Sequence, residues 1–127
     1  MTPLVYDAGA LLAAERNDRK FAVLHKTALV GGRLIFVPAP VLAQAWRGGP
    51  RQAGLAKVLK GCAVLSTDED IAKRAGVLLG HSGTADAVDA IVVATAIKLT
   101  ATVVTSDPND LHRLADAGLH PLGLVVL

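Results

Sequence analysis

Short apolar runs alternate with longer helical stretches along the whole chain. Five runs of three to five residues, rich in valine, leucine and isoleucine, predict β-strands at 4–6, 34–37, 62–65, 102–105 and 122–126. Between them, helical periodicity broken by glycine and proline predicts helices at 8–15, 19–29, 40–46, 51–60, 67–79, 84–99 and 107–117. A loop is expected at His81-Ser82-Gly83, before the helix at 84–99.

This alternation of strands and helices predicts the fold class. Strands that are apolar throughout are typical of a parallel sheet that is covered on both faces. We therefore expect an α/β fold of three layers, α/β/α, around a short central parallel sheet. The 127 residues contain no linker, repeat or low-complexity tract, so residues 1–127 are predicted to form one domain.

The stretch from Thr84 to Asp89 is the most informative part of the chain. It leads into Ala90–Ile97, eight residues without a charge, so the helix is apolar all round and should be buried. Asp86 and Asp89 lie three residues apart and are expected to share a face of its first turn. An ionised carboxylate beside a dry core needs a partner, either a metal ion or the free N–H groups of the helix start.

Two further acids follow apolar strands. Asp7 comes directly after the first strand, and Asp107 comes shortly after the fourth. In open α/β sheets functional groups collect at the carboxyl ends of the strands, so these acids are expected to meet Asp86 and Asp89 at one rim. Converging carboxylates repel one another, and a divalent cation removes that conflict.

The ligand types narrow the choice of ion and of chemistry. All the candidates are oxygen donors, and the four histidines show no metal-binding spacing. An all-oxygen site favours Mg²⁺ or Mn²⁺ over Zn²⁺. Such an ion activates water and steadies the charge on a phosphate, which suggests metal-assisted phosphodiester hydrolysis.

Each acid also has an ordinary structural interpretation. Asp7 could be a plain N-cap, and Asp107 a routine helix start. Asp86 and Asp89 could simply favour the positive end of the helix dipole, and Asp110 suits a cap partner better than a ligand. The joint placement favours the metal site, because two acids end apolar strands and two begin the most buried helix.

Composition excludes several classes of protein. Apolar residues make up 52% and charged residues 19%, which is typical of a globular chain rather than a disordered one. No apolar run approaches the roughly 18 residues of a membrane span, and the N-terminus lacks the layout of a signal peptide. The single cysteine, Cys62, rules out an internal disulfide and fits a reducing cytoplasm.

The net charge of +2 conceals an uneven distribution. Setting aside the five aspartates at 7, 86, 89, 107 and 110 leaves six acids against thirteen bases. If those five aspartates gather in one place, the rest of the surface is basic around an acidic spot. That arrangement suits a polyanion held around a metal site, although a basic surface alone is weak evidence.

Three motifs together resemble a PIN domain, most closely the VapC-type toxins of bacterial toxin–antitoxin pairs. They are Val5-Tyr6-Asp7-Ala8, the helix start from Asp89 to Ala96, and Val104-Thr105-Ser106-Asp107, in the family's order across nearly the whole chain. The resemblance implies an endoribonuclease dependent on Mg²⁺ or Mn²⁺, built on a central parallel sheet. It also implies a frequent homodimer, and a VapB antitoxin whose C-terminal segment lies across the active site.

The resemblance assigns site residues one by one. Asp7, Asp89 and Asp107 match the three aspartates of the family, and Asp86 resembles an extra acid that some members place one turn earlier. One position departs from the pattern, because Gln44 stands where the family usually has a glutamate. A glutamine offers a carbonyl oxygen but no charge, so metal binding should be weaker unless Asp86 compensates.

Gln44 leaves a second function open. The chain could be a PIN-like module that has lost catalysis and binds RNA or a protein. Arg47, one turn further along, could reach a phosphate, pair with a site carboxylate, or be an ordinary solvated residue. A phosphoacceptor receiver domain is disfavoured, because Asp7 stands alone after the first strand and no lysine follows the strand that ends at Thr105.

Overall fold

Five short strands form one parallel sheet in a computed structural model that describes all 127 residues. The strands are β1 (Leu4–Tyr6), β2 (Ile35–Pro38), β3 (Ala63–Leu65), β4 (Thr102–Thr105) and β5 (Gly123–Val126). Their order across the sheet is β3-β2-β1-β4-β5, and every neighbouring pair is parallel. The predicted α/β class with a short parallel sheet is confirmed.

Seven α-helices cover the sheet. They are α1 (Ala8–Glu15), α2 (Arg19–Val30), α3 (Ala39–Ala45), α4 (Ala53–Leu59), α5 (Glu69–Ser82), α6 (Ala87–Leu99) and α7 (Asn109–Ala117). Helices α1 to α4 lie on connections that move from β1 towards β3, whereas α5 to α7 lie on connections that move the opposite way. Since crossovers are right-handed, the two groups cover opposite faces of the sheet. Helix α1 accordingly packs against α2, α3 and α4, and α5 packs against α6 and α7.

The direction of the connections reverses between β1 and β4. Strand β1 pairs with β2 on one side and with β4 on the other, so that Leu4 lies between Ile35 and Thr102. Just beyond the strand, the N–H of Asp7 donates to the carbonyl oxygen of Val104 at 3.3 Å. Such a reversal opens a crevice at the carboxyl ends of the strands, which is where ligands bind in open α/β sheets.

A cluster of 28 buried apolar side chains fills the space between the sheet and its helices. The central strands β1 and β4 are almost entirely buried, whereas the edge strands β3 and β5 are partly exposed. Helix α6 is the most buried helix, with Ala90 and residues 92–96 inside the core. This confirms the prediction that the uncharged helix lies in the interior.

Helix α6 begins later than predicted. It starts at Ala87 rather than Thr84, because Asp86 has an extended backbone (φ −81°, ψ 100°) and acts as the N-cap. One carboxylate oxygen of Asp86 accepts the backbone N–H of Asp89 at 3.0 Å. Asp86 is therefore a capping residue in front of the helix, and only Asp89 lies in its first turn.

Helix α5 is longer than predicted. It runs to Ser82 and ends at Gly83, whose φ of +75° favours glycine, so His81 and Ser82 are helical rather than part of a loop. Its N-cap is Asp68, which accepts the N–H of Ile71 at 2.8 Å, and not Thr67. Both differences arise because a local cap, once available, fixes where the helix begins or ends.

Two other boundaries differ by a few residues. The helix predicted at 51–60 begins as a 3₁₀ turn at Pro50–Gln52 and continues as α4. Strand β2 includes Pro38 and leaves out Leu34. The proline is accommodated because it is the last residue of the strand.

No helix on its own is both long and apolar enough to cross a membrane. Helices α5 and α6 taken together reach the required length and composition, but the chain bends by 115° between them.

Candidate metal-binding and catalytic site

Asp7 is buried at the carboxyl end of β1, with 8% of its surface exposed. It caps α1, because its Oδ1 accepts the N–H of Ala10 at 2.9 Å. Burial raises the pKa of this carboxyl, and the charge of Asp107 adds to the rise. The Thr105 hydroxyl and the N–H groups of Ala10 and Gly9 partly offset that increase.

Asp89 occupies the first turn of α6 and is half-buried. Burial raises the pKa of this carboxyl to about 6, and repulsion by Asp86, Asp7, Asp110 and Asp107 contributes in that order. No lysine, arginine or histidine forms an ion pair with Asp89. The Asp89 carboxyl is therefore close enough to four other aspartates to be affected by the charge of each.

The other two predicted ligands are exposed. Asp86 faces solvent in front of α6, with its Oδ1 engaged in the cap. Asp107 follows β4, and its backbone is held by Thr105, whose Oγ1 accepts the Asp107 N–H at 3.0 Å and donates to the Asp107 carbonyl at 3.2 Å. The Asp107 carboxylate accepts only a long bond, 3.4 Å, from the N–H of Asn109. The Asp107 carboxylate is thus free to rotate towards a ligand, whereas Asp86 would have to give up its cap bond to do so.

Asp110 is a further candidate for the site, although the sequence favoured a role as a cap partner. It lies in the first turn of α7, but that helix has no side-chain cap bond, so the expected role as a cap partner is not seen. Its carboxylate lies 4.0 Å from the guanidinium of Arg113, and its charge raises the pKa of Asp89. The three-residue spacing from Asp107 was the signal for it, since residues so spaced share one side of a helix start.

Gln44 and Arg47 lie on and just after α3. Gln44 is exposed and forms no hydrogen bond, so its predicted role at the site stays a prediction. Arg47 donates from Nη1 to the carbonyls of Ala43 at 3.2 Å and Trp46 at 2.8 Å, and it pairs with no carboxylate. Its suggested ion pair with a site acid is therefore wrong. The two other suggested roles, contact with a phosphate and exposure to solvent, stay predictions.

Five aspartates thus gather around the point where β1 and β4 end, and we call them the acidic rim: Asp7, Asp86, Asp89, Asp107 and Asp110. Their oxygen donors suit a hard divalent cation such as Mg²⁺ or Mn²⁺. No three acidic, histidine or cysteine side chains are close enough together, as they stand, to hold one ion. Cation binding would therefore require the exposed carboxylates to rotate towards Asp7 and Asp89.

Comparisons with known proteins show the family and the fold of the chain. The family model of the PIN domain matches residues 4–117. VapBC2 from Rickettsia felis, in a crystal structure bound to a DNA fragment from their promoter, is similar to the chain with a TM-score of 0.78 and 16% identity, over 99% of each chain. FitAcB from Neisseria gonorrhoeae gives a TM-score of 0.63 and 14% identity over 95% of each chain. PAE2754 from Pyrobaculum aerophilum gives 0.61 and 19%, over 97% of this chain and 83% of that one. Curated protein sequences gave no match.

Proposed function

Because the chain belongs to the PIN domain family, whose members are generally nucleases, we propose that it is a metal-dependent endoribonuclease acting at the acidic rim. The observation that carries this proposal is the state of Asp89. Burial, and then the charges of four neighbouring acids, raise the pKa of that carboxyl to about 6, and Asp89 forms no ion pair. A cluster of five aspartates in which only Asp110 has an ion-pair partner, Arg113, is typical of a functional site.

The proposed metal ligands fall into a rigid group and a mobile group. Asp7 and Asp89 would hold Mg²⁺ or Mn²⁺ from fixed positions, since Asp7 is buried and bonded to the first turn of α1, and Asp89 lies on the buried helix α6. Asp107, Asp86 and Asp110 would complete the shell from more exposed positions. When bound, the ion activates a water molecule and offsets the charge that develops on the phosphate.

We propose further that the chain is the toxin of a VapBC-type toxin–antitoxin pair. Its fold covers 99% of the matched Rickettsia chain, which was crystallised as VapBC2 with promoter DNA. A VapB-type antitoxin would then hold the nuclease in check, and a homodimer and a cytoplasmic location are part of the same proposal. The single cysteine, Cys62, is a free thiol, as expected for a reducing compartment.

A second candidate function is a PIN-like module that binds RNA or a protein without cutting. Gln44 favours it, because this residue replaces the usual glutamate and is exposed without a hydrogen-bond partner. A site with one negative charge fewer binds a divalent cation less tightly. The two candidates differ in whether metal ions change what happens to bound RNA.

RNA cleavage by purified, partner-free protein tests the first candidate. Structured and single-stranded RNA are incubated with Mg²⁺, with Mn²⁺ and with EDTA, beside the Asp7→Asn variant. The matched control is Asp116→Asn, an exposed acid in the last turn of α7 whose side chain forms no hydrogen bond or ion pair. We expect cleavage with metal that is lost in Asp7→Asn and retained in Asp116→Asn.

Other outcomes separate the candidates. Cleavage by Asp7→Asn at the wild-type rate would show that the site is wrongly assigned. RNA binding that EDTA leaves unchanged, with no cleavage in either metal, would support the binding module. Gln44→Glu would then be the next variant, because a restored carboxylate should restore metal-dependent cleavage if this position alone was responsible.

A further inference from the structure

Positive charge is concentrated in the segment that covers one face of the sheet. Residues 16–60, which include the end of α1 and helices α2 to α4, hold nine of the thirteen lysines and arginines, and residues 19–67 hold no acid. All nine except the half-buried Arg33 are exposed. Charge of a single sign on one face attracts a polyanion.

These nine bases are also unneutralised. None of them forms an ion pair, whereas the four bases elsewhere in the chain, Lys73, Arg74, Lys98 and Arg113, are all paired with aspartate or glutamate. The bases on helices α5 to α7 are thus neutralised by acids on or next to the same helices. The face formed by α1 to α4 leaves its charge available for a partner.

One loop on this face combines charge with an aromatic surface. Residues 46–51, between α3 and the end of the 3₁₀ turn, carry Trp46, Arg47 and Arg51. Trp46 is the only tryptophan of the chain, and 42% of its surface is exposed. An exposed indole beside guanidinium groups offers stacking to a base and ion pairing to a phosphate.

Gln52 holds this loop in place. Only 3% of its surface is exposed, and its Oε1 accepts the backbone N–H groups of Arg47 at 2.7 Å and Gly48 at 2.9 Å. Its Nε2 donates to the Ala45 carbonyl and to the Glu15 carboxylate, both at 2.7 Å. The loop is therefore presented in one conformation, which reduces the entropy lost when a ligand binds.

The loop and the acidic rim lie at opposite ends of α1, because Gln52 bonds Glu15, the last residue of that helix, whereas Asp7 caps its first turn. Helix α3 follows directly from the carboxyl end of β2, the neighbour of β1, and its seven residues span about 10 Å before Trp46. Helices α3 and α4 both pack against α1, whose first residue follows Asp7. The eight residues of α1 span about 12 Å, a length that a few nucleotides of single-stranded RNA can cover.

We propose that residues 46–51 bind single-stranded RNA and direct it to the acidic rim. An unpaired base stacks on the Trp46 indole, and the guanidinium groups of Arg47 and Arg51 contact the flanking phosphates. The proposed RNA is single-stranded because the faces of bases in a duplex are already stacked on one another. The choice of RNA as the polyanion rests on the proposed function.

The single tryptophan gives a direct readout of this contact that does not depend on activity. A short single-stranded oligoribonucleotide is titrated into the protein in EDTA, and Trp46 fluorescence is followed beside a titration with the same sequence as a duplex. We expect saturable quenching by the single strand and little change with the duplex. Stacking of a base on an indole is the physical reason.

Substitutions then test each contact by anisotropy of a labelled oligoribonucleotide. Trp46→Ala should weaken binding roughly 5- to 100-fold, and Trp46→Phe should retain part of the affinity. Arg47→Ala and Arg51→Ala should each lower the slope of the salt dependence by about one. Lys73→Ala is the matched control, an exposed base of α5, and should bind as wild type.

The results separate this inference from the proposed nuclease. Unchanged fluorescence with RNA, or wild-type affinity in the Trp46 and arginine variants, would overturn it, and a response to a partner polypeptide alone would assign the loop to a protein contact instead. Binding as expected without cleavage would leave the inference standing and remove the nuclease. Metal-dependent cleavage by Trp46→Ala with an unchanged KM would support the nuclease and overturn the inference about the loop.

Discussion

Replacing Asp89 by asparagine should stabilise the metal-free protein. The pKa of this carboxyl is raised from its ordinary value of 3.8 to about 6, mainly by burial and then by repulsion from four other aspartates. The charged form is therefore less favourable in the folded than in the unfolded state. Asparagine has nearly the same shape without the charge, and the Asp89 side chain forms no hydrogen bond that the change would break.

The size of the effect follows from three terms. A shift of about two pKa units corresponds to about 3 kcal/mol, which we reduce by roughly half because the side chain is partly exposed to solvent. Removing a negative charge from the first turn of α6 costs about 0.5 kcal/mol of dipole stabilisation. The net gain is about 1 kcal/mol, or a rise in Tm of roughly 3–5 °C for a chain of this length.

The sign of the pH dependence is fixed by the direction of the shift. Because the folded-state pKa is raised, the cost of the charge is absent below the unfolded value of 3.8 and complete above about 6. The advantage of Asp89→Asn should therefore grow between these two values and stay constant at higher pH. A divalent cation should narrow the difference in Tm, since it should bind the wild type, which has one more carboxylate, more tightly than the variant.

Thermal unfolding followed by circular dichroism measures this directly. Wild type, Asp89→Asn and the control Asp116→Asn are compared in EDTA at pH 7.5 and at a pH below 4, and again with Mg²⁺ at pH 7.5. A Tm of Asp89→Asn at or below that of the wild type at pH 7.5 would refute the reasoning. So would a gain of equal size at both pH values, since the gain would then not come from the charge.

Three further predictions concern the scaffold around the site. Gln52→Ala should lower the free energy of unfolding by about 1–3 kcal/mol in urea titrations, because the Gln52 side chain satisfies two N–H groups and a carbonyl of the loop; a loss below about 0.5 kcal/mol would contradict this. Gly9→Ala should cost about 1–3 kcal/mol by the same assay, since the added methyl would meet the side chain and backbone of Ser106, and Ser106→Gly should recover part of the loss. Burial lowers the pKa of His25, so the stability that its neutral form contributes should be lost as the pH falls below 6.5. The denaturant midpoint of His25→Gln should therefore decline less between pH 7 and 5 than that of the wild type. Equal declines would exclude His25 as the cause.

Local patterns predicted the elements of the fold well. The strands are runs of apolar residues bounded by polar ones, and caps such as Asp18, which accepts the N–H of Phe21 at 2.8 Å, act within one turn. The order β3-β2-β1-β4-β5 is different in kind, because it depends on which strands pair across the sheet. The prediction that Asp7 and Asp107 meet needed only the general rule about strand ends.

What the sequence reasoning missed depends on contacts between distant segments. The burial of Gln52 involves Glu15, 37 residues earlier, which no local pattern reveals. The effect of Asp110 on Asp89 requires α7 to pack against α6. The start of α6 was predicted three residues too early, because Asp86 is the N-cap and the helix begins only at Ala87.

Binding of Mn²⁺, followed by electron paramagnetic resonance as the loss of the free-ion signal, tests most directly whether the acidic rim is a metal site. Wild type, Asp7→Asn and the control Asp116→Asn are titrated under identical conditions. The account predicts that wild type and Asp116→Asn bind alike and that Asp7→Asn binds at least about tenfold more weakly. Equal binding by all three proteins, or no binding by the wild type, would contradict it.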